Sequence, residues 1–163
     1  MKILVLSDSH ATLSFMRRCI QKVRPNAVVH LGDLYDDGIA MQEENVHIPF
    51  YVVAGNCDRY RCPPSAREIL CCRVCGVLLY MTHGHLHGVK QTTGLLLRDA
   101  REAGAAAALY GHTHQADCRQ VDDIWILNPG ACGGYSGSAG LIEVEDGKIS
   151  ACRILRQADI EQL

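Results

Sequence analysis

The stretch Val28-Val29-His30-Leu31-Gly32-Asp33 is an apolar, β-branched run that stops abruptly at a glycine and a carboxylate. Such a run reads as a buried parallel strand whose carboxyl end delivers one acid to the edge of a sheet, where open α/β sheets bind ligands. Four other runs end in the same fashion: Leu4-Val5-Leu6 before Ser7-Asp8-Ser9-His10, Tyr51-Val52-Val53 before Gly55-Asn56-Cys57-Asp58, Leu78-Leu79-Tyr80 before His83-Gly84-His85, and Ala107-Ala108-Leu109 before Gly111-His112-Thr113-His114. Five strand ends carrying Asp, Asn and His describe a metal site, with Asp33 as the candidate for its centre.

Around these strands the chain alternates. Thr12 is placed to cap a helix whose apolar face is Leu13, Met16, Cys19 or Ile20, and Val23, and Arg24-Pro25 ends it. Ala27 to Leu31 returns as the next strand, a right-handed βαβ unit. Asp36-Asp37-Gly38 reads as the opening of a polar loop, Ile39 to Asn45 as a short, weakly patterned segment, and Ile48 to Val53 as the third parallel strand. Asp58 to Ser65 reads as a surface loop without regular structure. Beyond it the pattern turns β-rich: Arg67 to Val74 and Val77 to Met81 flank the turn Cys75-Gly76, and Thr92 or Thr93 caps a helix that ends at Gly104. Ala105 to Tyr110 is a further buried strand. The later strands, Cys118 to Val121, Ile124 to Leu127, Gly140 to Glu145 and Lys148 to Leu155, are separated by Asp122-Asp123, the run Gly130 to Gly140 and the tight-hairpin signal Asp146-Gly147. βα units followed by antiparallel hairpins predict an α/β (α+β) architecture, two stacked sheets with helices on the outer faces. With no internal repeat or linker, residues 1–163 are expected to form one domain without a cap domain.

The 163 residues are enough for a substantial core, and a 48% apolar, 21% charged composition is that of a globular protein. A formal net charge of −2 leaves no basic footprint for bulk nucleic acid or a membrane surface, though a nucleotide-like small substrate stays compatible. The amino terminus lacks the features of a signal peptide, so a cytoplasmic protein is expected. Nine cysteines lie mostly within apolar runs and read as small buried hydrophobes of a reducing compartment. A zinc site from Cys71, Cys72 and Cys75, with Cys57 or Cys62, is disfavoured because adjacent residues of a strand point to opposite faces. Exposed cysteines or apolar helix faces leave a homodimer or higher homo-oligomer open.

Taken singly, each polar cluster is ordinary. Asp8 and His10, two apart, share one side of an extended segment, but Asp-x-His also occurs in surface turns. His112 and His114 repeat that spacing after Gly111; Gly-Asp and Gly-Asn pairs are common turns, and His83 alone reads as a structural histidine. Independent turns, however, have no reason to place such a ligand set at the ends of successive buried strands.

Together, Asp8-x-His10, Gly32-Asp33-x-x-Asp36, Gly55-Asn56-Cys57-Asp58, His83 and Gly111-His112-x-His114 resemble the signature of the calcineurin-like metallophosphoesterase superfamily. The short chain and the Gly-Asn-Cys-Asp variant resemble its small prokaryotic phosphodiesterase branch. The resemblance implies a four-layer αββα sandwich of two mixed sheets and a dinuclear centre. Asp8, His10 and His114 would hold the first ion and Asn56, His83 and His112 the second, with Asp33 bridging. It also implies two divalent transition-metal ions, Mn first, with Fe, Zn, Ni or Mg as alternatives, and attack by an activated hydroxide in line with the leaving group. Asp33, Asn56, His83 and Asp58 are the candidate catalytic residues; Asn56, His85 and Cys57 are candidates for holding a small phosphodiester. Asp36 and Asp58 are expected to orient histidines through their second ring nitrogen.

Cys57 departs from the family pattern, in which histidine often follows the Gly-Asn pair. A thiol is a poor acid for an alkoxide, so good leaving groups should react best. His85 and His87 are the candidates to stand in, with His87 expected to be an exposed loop residue. Asn128-Pro129-Gly130 with Gly133-Gly134 could bring backbone N–H groups to a phosphate. Two other readings stand beside the phosphodiesterase: a phosphomonoesterase, and a non-catalytic interaction module resembling the retromer subunit that shares the fold.

Overall fold

The computed structural model describes residues 1–133 and 137–163. Its elements run β1 (Lys2–Leu6), α1 (Leu13–Val23), β2 (Ala27–His30), α2 (Tyr35–Glu44), β3 (Phe50–Val52), β4 (Ile69–Val74), β5 (Val77–Thr82), α3 (Gly94–Glu102), β6 (Ala107–Leu109), β7 (Asp117–Val121), β8 (Ile124–Asn128), β9 (Ser138–Glu145), β10 (Lys148–Arg156) and α4 (Gln157–Glu161). One sheet has the order β10-β9-β1-β2-β3 and the other β4-β5-β6-β8-β7. In the first, β1, β2 and β3 are parallel and β9 and β10 antiparallel additions; in the second, β5, β6 and β8 are parallel between antiparallel edges β4 and β7. This is the expected sandwich of two mixed sheets flanked by helices.

Strand alternation sorts the apolar side chains into three layers. Ile3, Val5, Val29, Leu79, Met81, Ala107, Leu109, Leu127, Ile142 and Val144 fill the space between the sheets. Their neighbours Leu4, Leu6, Val28 and Leu141 face outward against Phe15, Met16, Cys19, Ile20 and Val23 of α1, Met41 of α2 and Ile160 of α4. On the opposite outer face, Tyr80, Ala108, Ile124 and Ile126 bury Leu96, Leu97 and Ala100 of α3. Because both faces of the central strands are covered, β1, β2, β5 and β6 read in sequence as continuous apolar runs.

Several local expectations need correction. Tyr35 to Glu44 is one helix rather than a polar loop and a weak segment. Asp36 and Asp37 lie in its first turn, where a carboxylate complements the helix dipole. Gly38 is buried where a Cβ would meet His30 and Val52, so a residue that signals a turn is here a packing necessity. Thr12 precedes α1 without a side-chain cap, and the third strand is shorter than Ile48 to Val53. Asp58 is not on a surface loop: residues 56–58 form a 3₁₀ turn in which it is buried. α4 was not anticipated. Gly134 of the glycine-rich run lies outside the described residues.

Candidate metal centre

The parallel strands β1, β2, β3, β5, β6 and β8 all end at one edge of the sandwich. Asp8 and His10 follow β1, Asp33 follows β2, Asn56 follows β3, His83 follows β5, and His112 and His114 follow β6. Two groups of potential metal-donor side chains result: Asp8, His10 and His114, and Asp33, His83 and His112, the donor atoms of each lying within 4.8 Å of one another. Each group joins a carboxylate from the first sheet to histidine from the second. Asn56, expected beside His83 and His112, is exposed with its amide 3.5 Å from Cys57 Sγ.

The loops that carry these candidate ligands are not extended. Asp8, His10, Asp33, His112 and His114 all have φ between 45° and 67°, in the left-handed region. Non-glycine residues there are uncommon and cluster at sites that the surrounding structure over-determines. The two-apart pairs therefore converge by turning the backbone, not by alternation along a strand. The glycines between them serve close approach: a Cβ on Gly55 would overlap Asp33 Oδ1, and one on Gly111 would overlap Ser7 Oγ and lie 2.8 Å from Asp8 Oδ2.

Hydrogen bonds aim the donors. Asp8 Oδ2 accepts from Ser7 Oγ (2.6 Å) and from the His112 N–H (3.2 Å), while the buried Oδ1 has no hydrogen bond and sits 3.1 Å from His114 Nε2. His83 donates from Nδ1 to the Leu31 carbonyl (2.7 Å), leaving the buried Nε2 without hydrogen-bond geometry, 3.3 Å from Asp33 Oδ2. Asp33 Oδ1 accepts from the Cys57 N–H (3.1 Å). A buried polar atom left unmatched is costly, and one in each group, aimed at a neighbouring donor, suits a shared cation.

Electrostatics agree. Burial opposes ionisation of Asp33, but His83 beside it and the Cys57 N–H outweigh this and hold its carboxyl well below the usual range. Burial likewise opposes a charge on His83, and Asp33 overcomes it, raising the imidazole; His112 is lowered by burial and by His83. Burial and the nearby Asp33 raise the Cys57 thiol, which keeps it protonated.

Asp58 and Asp36 do not orient histidines. Asp58 accepts three backbone N–H groups, from Asp33 (3.0 Å), Tyr35 (2.8 Å) and Gly55 (2.7 Å), and so braces the loop that carries Asp33. Asp36 is exposed, and its neighbour Asp37 instead holds Ser9 Oγ (2.7 Å) and the Ala11 N–H (3.0 Å). His87 is buried, 3.1 Å from the Tyr80 hydroxyl, and is not an exposed loop residue. His85 stands 3.2 Å from Glu68 in an open groove of about 370 Å³ lined also by Asn56, Arg59 and Leu86. A second groove, of about 590 Å³, runs past His114, Ser138 and Arg156. The sequence reading passed over Asn128, at the end of β8, except as a phosphate-loop candidate. Its amide donates to the Gly111 carbonyl (2.9 Å) and Thr113 Oγ1 (3.0 Å), which holds the loop of His112 and His114; a polar residue closing a buried strand was the available signal.

Residues 1–147 match the family model of the calcineurin-like phosphoesterase superfamily domain. The chain belongs to that superfamily. Members of this metallophosphoesterase family use divalent metals, and the two groups above are this member's potential metal-binding residues. Within the superfamily, the chain is 28% identical over 150 residues to a phosphodiesterase of Methanocaldococcus jannaschii, covering 83% of this chain and 86% of that one. Its fold is similar to that of a predicted phosphoesterase of Streptococcus pneumoniae (TM-score 0.71, 24% identity, 96% and 97% of the two chains). It is also similar to that of vacuolar protein sorting 29 from Cryptosporidium parvum (TM-score 0.73, 17% identity, 95% and 96%). Among the described residues no helix is long and apolar enough to cross a membrane.

Proposed function

We propose that this chain is a metal-dependent phosphodiesterase with a dinuclear centre. The observation that carries the reading is the pair of donor groups at one sandwich edge, each containing a buried atom without a hydrogen-bond partner, Asp8 Oδ1 in one and His83 Nε2 in the other. Asp8, His10 and His114 would hold the first ion. His83 and His112, joined by the Asn56 amide after rotation away from Cys57, would hold the second, and Asp33 would bridge. Bound there, two divalent ions, Mn by preference, supply Lewis acidity toward a phosphoryl oxygen and lower the pKa of water at neutral pH.

The chain's own residues do the positioning. Ser7 and the His112 N–H fix the Asp8 carboxylate, the Leu31 carbonyl fixes the His83 ring, and the Cys57 N–H fixes Asp33. The groove of Asn56, Arg59 and His85 is open to solvent and suits one arm of a small, nucleotide-like phosphodiester. Proton delivery to the departing oxygen is the weak step. Cys57 is a protonated thiol and a poor donor to an alkoxide, so aryl esters are the favoured substrates. The same weakness disfavours alkyl monoesters.

The rival, a non-catalytic interaction module, draws on the likeness to vacuolar protein sorting 29, which at 17% identity speaks for the fold alone. Protein reconstituted with Mn is expected to bind about two ions per chain and to hydrolyse an activated aryl phosphodiester faster than the matching monoester. An inactive loaded protein, or Asp33→Ala as active as wild type, would overturn the proposal.

A further inference from the structure

Cys118 lies on β7 and Cys152 on β10, the edge strands that meet at one side of the sandwich. Although 34 residues separate them in sequence, their Sγ atoms are 3.2 Å apart. Both side chains are half-buried against the core between the sheets. Their strand partners, Leu127 for Cys118 and Ile142 for Cys152, are buried members of that core, so the two backbones are held in place from within. Among the other cysteines, Cys72 and Cys75 lie near Tyr51 at the opposite edge, and Cys19 and Cys132 in the layer under α1.

We propose that Cys118 and Cys152 are a redox-modifiable pair that closes into a disulfide fastening the edges of the two sheets. A disulfide needs its sulfurs about 2.05 Å apart, about 1.2 Å closer than they stand here. Hydrogen bonding from Cys152 lowers the Cys118 thiol below its ordinary range, which marks Cys118 as the first attacking sulfur. With oxidised glutathione as the oxidant, the Cys118 thiolate attacks one glutathione sulfur and releases the other glutathione as thiolate. Cys152 then loses its proton and displaces the remaining glutathione from Cys118. Two protein thiols have given up two electrons and two protons, and one glutathione disulfide has become two thiols.

The full chain offers a clean readout, because trypsin releases Cys118 in peptide 102–119 and Cys152 in peptide 149–153, each with that one cysteine. Folded protein is equilibrated with oxidised glutathione, quenched by alkylation and digested without reduction. The expected result is the two peptides joined, with the mass of their sum less two hydrogens, and separated again by reductant. Oxidised wild type should also gain several degrees in Tm over reduced protein, a gain absent from Cys118→Ser. Recovery of both peptides unlinked, alkylated or each carrying glutathione, would overturn the proposal. Neither readout depends on metal loading or hydrolysis.

Discussion

His83 Nδ1 lies 2.7 Å from the carbonyl oxygen of Leu31 and ties the end of β5 in one sheet to the end of β2 in the other. A ring nitrogen facing a carbonyl carries the hydrogen, so Nε2 is the atom free to exchange its proton for a cation beside Asp33. On the proposed dinuclear centre, His83→Ala is therefore expected to lose one of the two ions. Elemental analysis of the Mn-reconstituted variant should fall to about one ion per chain, and kcat/KM for an aryl phosphodiester should drop at least about 100-fold.

Asp58 is a different kind of residue. Its carboxylate is surrounded by three backbone N–H donors, and removing it strands them in a buried loop. Asp58→Ala should cost about 3–5 kcal/mol of stability, measured by denaturant unfolding of the metal-free protein. Full stability with abolished hydrolysis would instead make Asp58 part of the chemistry.

Cys57 contributes its backbone N–H to Asp33, a bond that survives any side chain, and its exposed thiol adds a side-chain hydrogen bond to the same carboxylate. Cys57→His keeps the backbone N–H on Asp33, exchanges the thiol's bond for one an imidazole N–H can also make, and adds a proton donor. The rate for an alkyl phosphodiester is expected to rise by up to about 100-fold, with little change for a nitrophenyl ester. The ratio of the two rates is the measurement.

Stability should depend on pH through His30. It is fully buried, its Nδ1 accepts from the Gly32 N–H and its Nε2 lies 3.3 Å from Ser9 Oγ, so a second ring proton would face a donor. Burial lowers its pKa from 6.5 to about 4. The unfolded chain then binds a proton more readily than the folded one, so this contribution is complete above pH 6.5 and is lost as the pH falls toward 4. Between pH 8 and pH 5 the His30 contribution should fall by about 2 kcal/mol, measured in chelator by denaturant unfolding as the difference between wild type and His30→Gln. His30→Gln should show a correspondingly flatter profile.

The strand ends and both sheets were legible because buried parallel strands write themselves as short apolar runs, and Asp8, Asp33, His83 and His112 each interrupt one. α2 was not legible: Gly38 carries a turn signal, and only the side chains of His30 and Val52 explain why glycine is needed inside a helix. The duties of Asp58 were hidden for a related reason. A carboxylate next to candidate ligands looks like a partner for imidazole, and nothing local reveals that its partners are main-chain amides brought from residues 33 and 35. His87 was misplaced because a histidine-rich loop looks hydrated, whereas Tyr80, seven residues earlier, covers it. The left-handed backbone at five candidate ligand positions has no sequence signal beyond the neighbouring glycines.

In both donor groups the carboxylate belongs to one half of the sandwich and at least one histidine to the other: His114 in the first group, where His10 stays with Asp8, and His83 and His112 in the second. Each donor group is complete only when the two halves are together. On the proposed dinuclear centre, an excursion that parts the halves would dismantle both coordination spheres together and link loss of either cation to opening of the interior.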